Sequence, residues 1–284
     1  MDYLRKALSV HNGWVPKTFT KRYRRGSPGS ARLEALSLAW LAQAPGGARV
    51  AKVLGASETH LELEYLPPSP ATAGSAEAFG RALARTHAAG AAHFGAPPPG
   101  WSARGWIGAA PMSHLSRGGA TWGEFYAAER VMPYAAAAAK RGALSAEGLE
   151  AIRRVAQRLR DGLYDSPQPA LLPAGAAARL HGDLWAGNVL WTDSPASGDC
   201  GCAGVALIDP AAHGGHAETD LAMLALFGLS HLDTVTAAYN EVSPLAAGWR
   251  ERTGLHQLFP LLVHAVLFGG SYGAAAAAKA KRYG

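Results

Sequence analysis

A proline-rich break, Pro67-Pro-Ser-Pro70, separates two parts of the sequence with different hydrophobic periodicities, and this change limits the folds available to the chain. Before the break, residues 61–65 alternate as Leu-Glu-Leu-Glu-Tyr, the two-residue period of a strand. After it, segments 75–88, 121–141 and 145–164 show the apolar spacing of helices. The pattern predicts an α+β fold, with a small β-rich part at 1–66 and a large, mainly helical part at 67–284.

Further elements are expected before the break. An Asn-Gly pair between short apolar runs predicts a hairpin over residues 8–16, and a strand should follow at 19–23. Ser30 is placed to cap a helix that ends near residue 45, and another strand is predicted at 49–54.

The net charge of +6 and the pI of about 9.4 raise the question of an anionic partner. The one dense basic run, residues 17–25, carries only Phe19 and Tyr23 as stacking side chains and no nucleic-acid-binding motif. We therefore expect no nucleic-acid partner and favour an anionic small ligand such as a nucleotide triphosphate.

The longest apolar stretch, residues 258–268, contains a proline and a histidine and is shorter than the roughly 20 residues of a membrane span. It predicts a buried helix and no membrane partner. The charged residues after Met1 are not followed by an export signal, which favours a cytoplasmic protein. Cys200 and Cys202 lie two apart, a spacing that predicts neither a disulfide framework nor a zinc site.

The most informative motif is H-G-D-L-W-A-G-N at residues 181–188, in which Asn188 follows Asp183 by five positions. This spacing is that of the catalytic loop of kinases, where the carboxylate orients the acceptor hydroxyl and the amide oxygen holds a metal ion. Asp209 ends an apolar strand at 205–208, as the metal-binding aspartate of kinases does. Oxygen ligands of this kind suit Mg²⁺, so the motif predicts phosphoryl transfer from ATP.

The motif at 181–189 and the segment I-D-P-A-A-H-G-G-H-A-E-T-D-L-A-M at 208–223 together resemble the fructosamine (ketosamine) kinases. This family lies within the superfamily of protein-kinase-like and aminoglycoside phosphotransferase-like folds. The resemblance includes the segments 105–108 and 122–130 and covers most of the chain from about residue 50 onward. It implies a two-lobe, protein-kinase-like fold. Trp185 favours the ketosamine group over aminoglycoside and choline kinases, which share the H-x-D-x-x-x-x-N core.

The resemblance also implies roles in nucleotide binding. Lys21 matches the lysine that contacts the α- and β-phosphates of ATP, with Lys17 as the alternative, and Glu34 matches its ion-pair partner. Glu64 and Leu66 belong to a segment that resembles the hinge, whose backbone pairs with adenine.

Support and substrate roles follow in the same way. Asp220 matches the helix aspartate that holds the catalytic loop in shape, and His181 should provide further structural support. The resemblance places Trp185, Trp106 and Glu218 on the substrate side, with core packing as the alternative for both tryptophans. For the neighbouring His216 we expect a structural hydrogen bond.

One departure concerns phosphate cover. The family carries a glycine-rich hairpin before the lysine strand, whereas the twenty residues before Lys21 contain Gly13 alone. We expect that the first strand is missing or that the phosphates are covered differently.

The resemblance implies transfer of the γ-phosphoryl group of ATP to the C3 hydroxyl of a fructosamine or ribulosamine, free or protein-bound, in a deglycation reaction. An aminoglycoside- or choline-type kinase remains an alternative. A nucleotide-binding pseudokinase is a second alternative, which the departure in the hairpin favours and the presence of Asp183, Asn188 and Asp209 disfavours.

Overall fold

A computed structural model describes residues 18–23, 30–193 and 204–284. Before the proline-rich break these residues form one helix and a three-stranded antiparallel sheet, β1 (Thr18–Arg22), α1 (Ala31–Ala42), β2 (Val53–Ala56) and β3 (His60–Glu64). β3 lies in the centre of the sheet and places Leu61 opposite Lys21 of β1. The hairpin predicted at 8–16 and the alternative lysine, Lys17, lie outside the described residues.

Helix α1 begins where its capping signal predicts. The Ser30 hydroxyl accepts a hydrogen bond from the Leu33 amide at 3.3 Å, which satisfies one of the free amides of the first turn. Glu34, in that first turn, is buried although it carries a carboxylate. A buried carboxylate requires charged or hydrogen-bonding partners, and these lie in the site described below.

The strand predicted at 49–54 is wrong in its bounds, because β2 begins only at Val53. Residues 49–51 pair instead with a distant strand. The Leu207 amide donates to the Arg49 carbonyl at 2.8 Å, and the Ala51 amide donates to the Leu207 carbonyl at 3.0 Å. This pairing links the sheet region to the strand that leads into Asp209.

Helix α2 (Ala73–Ala88) starts directly after the proline-rich break, with a capping box between Thr72 and Ser75. It packs against α7 (Leu232–Val242) at Gly80, where an added Cβ would lie 2.2 Å from the Val235 carbonyl oxygen. Only glycine permits so close an approach of the two helices.

The helix predicted at 121–141 is interrupted. It consists of α3 (Trp122–Phe125), a π-helix (Tyr126–Val131) and α4 (Met132–Lys140). Pro133, in the first turn of α4, lacks the amide hydrogen that a continuous α-helix would need there. The wider π turn precedes this proline, and such turns interrupt α-helices most often at functional sites. Helix α5 (Ala146–Arg160) follows within the helical segment predicted at 145–164, and the Ser145 side chain caps it.

Three short antiparallel strand pairs in the described residues of this part are β4 (Gly105–Ile107) with β5 (Ala110–Met112), β6 (Ala178–Leu180) with β9 (His213–Gly215), and β7 (Val189–Trp191) with β8 (Val205–Leu207). The second strand of the last pair occupies the strand predicted at 205–208. Strands of three residues show too few alternations to be recognised in a sequence, so β4, β5, β6 and β9 were not predicted.

The remaining helices are α6 (Glu218–Phe227), α8 (Trp249–His256), α9 (Leu258–Phe268) and α10 (Tyr272–Ala280). Helix α9 has the predicted bounds and is buried along most of its length. In the described part of the chain, no helix combines the length and the apolar character that crossing a membrane requires.

Two large hydrophobic clusters fill the interior. One includes α5, α9 and the π-helix, and the other includes Leu41 of α1, Leu61 of β3, Phe79 of α2 and Leu207 of β8. The second cluster therefore contains residues from both sides of the proline-rich break. The assignment of 1–66 and 67–284 to two separate lobes stays a prediction.

The contact between α2 and α7 gives a test of the fold. We expect Gly80→Ala to lower the free energy of unfolding by about 2–3 kcal/mol, because its Cβ would meet the Val235 carbonyl. Gly74→Ala in the same helix is the control, since nothing lies within 4 Å of its Cβ, and it should raise stability by up to about 1 kcal/mol. Equal effects of the two substitutions in urea denaturation would contradict this packing.

Candidate active site

The two ends of the catalytic-loop motif lie in contact. Asp183 follows β6 by three residues, and Asn188 ends a 3₁₀ turn (Ala186–Asn188) that leads into β7. The Asn188 side-chain amide donates to the Asp183 carbonyl at 2.7 Å and to its carboxylate at 3.2 Å. The amide nitrogen is thereby used within the loop, and the amide oxygen is left as a ligand atom.

The pairing of β7 with β8 brings Asp209 next to Asp183 and Asn188. The Ile208 amide donates to the Asn188 carbonyl at 3.1 Å, so the residue after Ile208 emerges beside the catalytic loop. Asp209 has a φ of 55°, in the left-handed region that residues other than glycine adopt at a cost. Strained backbone of this kind is found most often at functional sites, where the surrounding structure holds it in place.

Lys21 connects the sheet to this cluster. Its ammonium group lies 2.8 and 2.9 Å from the two carboxylate oxygens of Glu34 and 2.7 Å from Asp209. Burial alone would lower the pKa of Lys21, but the carboxylates of Glu34 and Asp209 outweigh it and raise the pKa well above its ordinary value. The ammonium group therefore stays charged and holds β1, α1 and the end of β8 together.

The buried carboxylate of Asp220 binds the backbone of the catalytic loop. Asp220 is 1% exposed and accepts hydrogen bonds from the backbone amides of His181 at 2.7 Å and Gly182 at 3.0 Å. His87 of α2 lies 3.2 Å from the same carboxylate, and the other nitrogen of its ring lies 2.9 Å from the Tyr239 hydroxyl. Burial alone would raise the pKa of Asp220, but His87 and the Gly182 amide lower it.

His181 occupies the interior side of the loop. Its Nε2 lies 3.0 Å from the Ile208 carbonyl, and its Nδ1 accepts from the Asp183 amide at 3.3 Å. Burial lowers the pKa of this ring, which keeps it neutral and suits one nitrogen as donor and the other as acceptor. His181 thus joins the residue before Asp209 to Asp183.

Asp183 is the one carboxylate of the cluster with no lysine, arginine or histidine nitrogen within 4.0 Å among the described residues. Burial raises its pKa to about 7, the charge of Asp209 adds to this shift, and the hydrogen bond from Asn188 opposes it. A carboxylate with a pKa near neutrality is suited to accept a proton from a bound hydroxyl.

The predicted hinge residues are engaged in the structure. The Glu64 carboxylate accepts from the Lys52 amide at 2.9 Å and pairs with Arg49 at 3.0 Å. Leu66 is buried in the same hydrophobic cluster as Leu207 of β8. This segment therefore lies against the strand that carries Asp209, and its pairing with adenine stays a prediction.

The comparison with known proteins decides the family. The profile of the family described as fructosamine kinase matches residues 15–283. The chain belongs to the fructosamine kinase family. In a solved structure, a candidate fructosamine-3-kinase from Thermobifida fusca YX-ER1 has 46% identity and a TM-score of 0.80, covering 94% of this chain and 85% of that one. The predicted protein-kinase-like α+β fold is confirmed.

Curated relatives agree with this membership. A probable ketoamine kinase from Thermus thermophilus is 30% identical over 272 residues, which cover 94% of this chain and 89% of the relative. Another from Klebsiella aerogenes is 32% identical over 212 residues, which cover 75% of this chain. The match to the Klebsiella relative spans 65% of that relative's length.

This member of the fructosamine kinase family carries a row of aromatic side chains that begins two residues after Asp183. Trp185 is 42% exposed, and its ring centroid lies 6.3 Å from that of Phe227. Phe227 lies 4.7 Å from His264, which lies 5.4 Å from the exposed Phe268. We call Trp185, Phe227, His264 and Phe268 the aromatic row.

The structure does not bring every predicted substrate residue to this row. Trp106 lies on β4, partly exposed, opposite Pro111 of β5. Glu218 is 3% exposed, and both of its oxygens accept from Arg252, at 2.6 and 3.0 Å. Contact of Trp106 or Glu218 with a substrate stays a prediction.

Glu218 also belongs to a group with His216 and His256 whose potential ligand atoms lie within 4.8 Å of one another. This group does not fit a metal ion. The His216 ring accepts from the Glu218 amide and lies 3.3 Å from the Ser166 hydroxyl, so both of its nitrogens are engaged, as the structural role predicted for it requires. Arg252 already supplies the positive charge beside Glu218.

Sequence reasoning missed His87, Tyr239 and Tyr23. Tyr23 donates a hydrogen bond to Glu34 from the strand that carries Lys21. His87 of α2 and Tyr239 of α7 are in contact but lie 152 positions apart in the sequence, and no local motif marks such a pair. For Tyr23 a signal was present, because it lies two positions after Lys21 in the strand predicted at 19–23, and residues two apart share a face.

The raised pKa of Asp183 makes a prediction about stability. The folded chain binds the proton of the Asp183 carboxyl group more tightly than the unfolded chain does. Protonation of Asp183 therefore adds to the free energy of unfolding; this contribution is complete below about pH 4 and is lost as the pH rises through about 7. In metal-free buffer we expect Asp183→Asn to raise the free energy of unfolding by up to about 4 kcal/mol near pH 8, and to change it little near pH 4. Denaturation with urea at both pH values measures this difference.

Asp193→Asn, at an exposed aspartate just after β7, is the matched control and should have little effect at either pH. A stabilisation by Asp183→Asn that is the same at both pH values would show that the carboxyl proton is not its cause.

Proposed function

We propose that this protein transfers the γ-phosphoryl group of ATP to a sugar hydroxyl of a ketosamine. The observation that carries this proposal is the contact of 2.7 Å between Lys21 and Asp209. It joins the nucleotide-binding lysine of the sheet to the carboxylate beside Asp183 and Asn188, which is the arrangement that phosphoryl transfer requires. Membership of the fructosamine kinase family supports the choice of acceptor.

The nucleotide side consists of Lys21, Glu34 and the segment of Glu64 and Leu66. In this proposal the ammonium of Lys21 contacts the phosphates, while Glu34 holds it in place. The polar edge of adenine pairs with the backbone of this segment.

The donor set at the end of β8 fits Mg²⁺. Asp209 and Asn188 offer a carboxylate and an amide oxygen, which are hard ligands, and the Asp209 side chain is 30% exposed and so accessible. When bound here, Mg²⁺ would neutralise negative charge on the phosphates of the nucleotide.

Asp183 orients the acceptor hydroxyl and takes up its proton. The hydroxyl oxygen forms a bond to the γ-phosphorus, the bond from that phosphorus to the bridging β-phosphate oxygen breaks, and ADP leaves. With a pKa near 7 the carboxylate is ionised in a large part of the molecules at neutral pH and is basic enough to hold the proton. The hydrogen bond from Asn188 keeps it in position.

The aromatic row supports a ketosamine as acceptor. A ketosamine carries a protonated amine beside its sugar, and aromatic faces attract such a cation by roughly 0.5–2 kcal/mol. The exposed ring of Trp185 lies two residues from Asp183, so an amine held there places its sugar near the base. The free or protein-bound nature of this substrate, and the cytoplasmic location expected from the sequence, stay predictions.

Substitution of the reacting groups tests the reaction. Asp183→Asn should lower kcat by about 10²–10⁴, because it removes the proton acceptor but keeps the shape, and nucleotide binding should survive. Asp209→Asn should abolish Mg²⁺-dependent turnover. Coupled measurement of ADP release determines both, and an Asp183→Asn protein with kcat within a few-fold of the unmodified enzyme would contradict the role of Asp183.

A substrate panel tests the acceptor. We expect fructosyl-lysine or ribulosyl-lysine to be phosphorylated with a much higher kcat/KM than kanamycin or choline. Trp185→Ala should raise KM for the ketosamine more than KM for ATP, by about 3- to 30-fold, which corresponds to the loss of a cation–π contact. Trp249→Ala, which removes a ring that stacks on Arg250 of α8, is the matched control. Preference for an aminoglycoside would exclude the ketosamine.

A further inference from the structure

The Glu34 carboxylate receives hydrogen bonds from Lys21 of β1 and from Tyr23, the residue that directly follows β1. Lys21 contacts both of its oxygens, and the Tyr23 hydroxyl donates to Oε2. Successive side chains of a strand alternate between its faces, so Lys21 and Tyr23 point to the same side, toward α1. Glu34 is therefore held by a cation and by a neutral donor at once.

Lys21 is shared between two negative groups. Its ammonium lies within 3 Å of both Glu34 and Asp209, so one positive charge serves two carboxylates in a largely buried cluster. Under the proposed function, the nucleotide phosphates are a third negative group that binds the same ammonium. Asp209 must then be released from Lys21 so that it can bind the metal ion. The ion pair between Lys21 and Glu34 is therefore weakest when the nucleotide binds.

The position of Tyr23 allows it to keep the Glu34 carboxylate in place while Lys21 changes partners. The Tyr23 backbone amide donates to the Thr59 carbonyl at 2.7 Å, which continues the pairing of the sheet past Arg22 and positions the backbone of Tyr23. Burial raises the pKa of the Tyr23 phenol, with the charge of Glu34 adding to the shift, so the hydroxyl keeps its proton and remains a donor. A neutral donor does not compete with the phosphates for Lys21.

We propose that Tyr23 is a positioning residue for the nucleotide site, which holds the Glu34 carboxylate in place while Lys21 exchanges Asp209 for the phosphates of a nucleoside triphosphate. The inference rests on the proposed function only for the binding of a nucleotide, and is independent of the acceptor.

The test is Tyr23→Phe, which removes the hydroxyl and keeps the ring. Calorimetric titration with Mg²⁺ and a non-hydrolysable ATP analogue should show a Kd raised about tenfold, as expected for loss of one hydrogen bond to a charged group. In steady-state assays KM for ATP should rise by a similar factor, while KM for the acceptor stays unchanged. Tyr164→Phe is the matched control, since its hydroxyl donates to the Tyr283 carbonyl in another part of the molecule.

A double-substitution cycle separates positioning from general support of the fold. In a Glu34→Gln background, Tyr23→Phe should add little to the loss of nucleotide affinity, because the charged group that it positions is already absent. A structural role alone would lower the melting temperature by the same amount in both backgrounds and leave Kd unchanged. Tyr23→Met, which also lacks the hydroxyl, should reproduce the change in Kd and provides a second variant if Tyr23→Phe is unstable.

The outcomes are distinct. If the unmodified protein binds the analogue and Tyr23→Phe binds it with the same Kd, the inference is overturned and the proposed function is unaffected. If nucleotide affinity falls in Tyr23→Phe but no ketosamine is phosphorylated, the inference holds and the proposed acceptor is wrong. If the unmodified protein binds no nucleotide, both are wrong.

Discussion

The geometry of the site depends on the hydrogen bonds between Asp220 and the backbone of the catalytic loop. A buried carboxylate is costly unless donors surround it, and the amides of His181 and Gly182 serve as those donors, together with His87. The close approach also needs glycine, because a Cβ on Gly182 would lie 2.1 Å from the Ala211 carbonyl oxygen. Asp183 is the next residue, so its location is determined by the hydrogen bonds that the backbone of residues 181–182 donates to Asp220 of α6.

Three aspartates lie close together and are stabilised in three different ways. Asp220 has backbone donors and a histidine, and Asp209 has the ammonium of Lys21. Asp183 has, among the residues that the structure describes, only the side-chain amide of Asn188. The carboxylate with the weakest compensation is the one that we propose as the proton acceptor. Proteins commonly accept such local instability at functional sites and compensate for it in the surrounding structure.

The sequence was most informative where spacing along the chain determines spacing in the fold. Asp183 and Asn188 are joined by a short loop, and β7 and β8 pair over three residues, so their contact could be predicted from the motif and the strands that follow it. The partners of Asp220 could not be predicted in the same way, because His87 and Tyr239 come from two helices that meet only after folding. The pairing of residues 49–51 with Leu207 is equally remote. Glu218 shows a related limit, since a motif gives the position of a carboxylate but not the guanidinium of Arg252 that binds it.

The π-helix at Tyr126–Val131 has a consequence for how this family can change its length. A π turn contains one residue more than an α turn, so the segment is in effect an insertion that the helix has absorbed. Deleting that extra residue would restore an α turn and leave Trp122 and Phe125 facing the core that they now fill, whereas a deletion in a regular α turn would rotate the residues before it by about 100°. We therefore expect loss of a single residue to be tolerated at this π turn, as it is in surface loops, and not in the regular turns of the same helix.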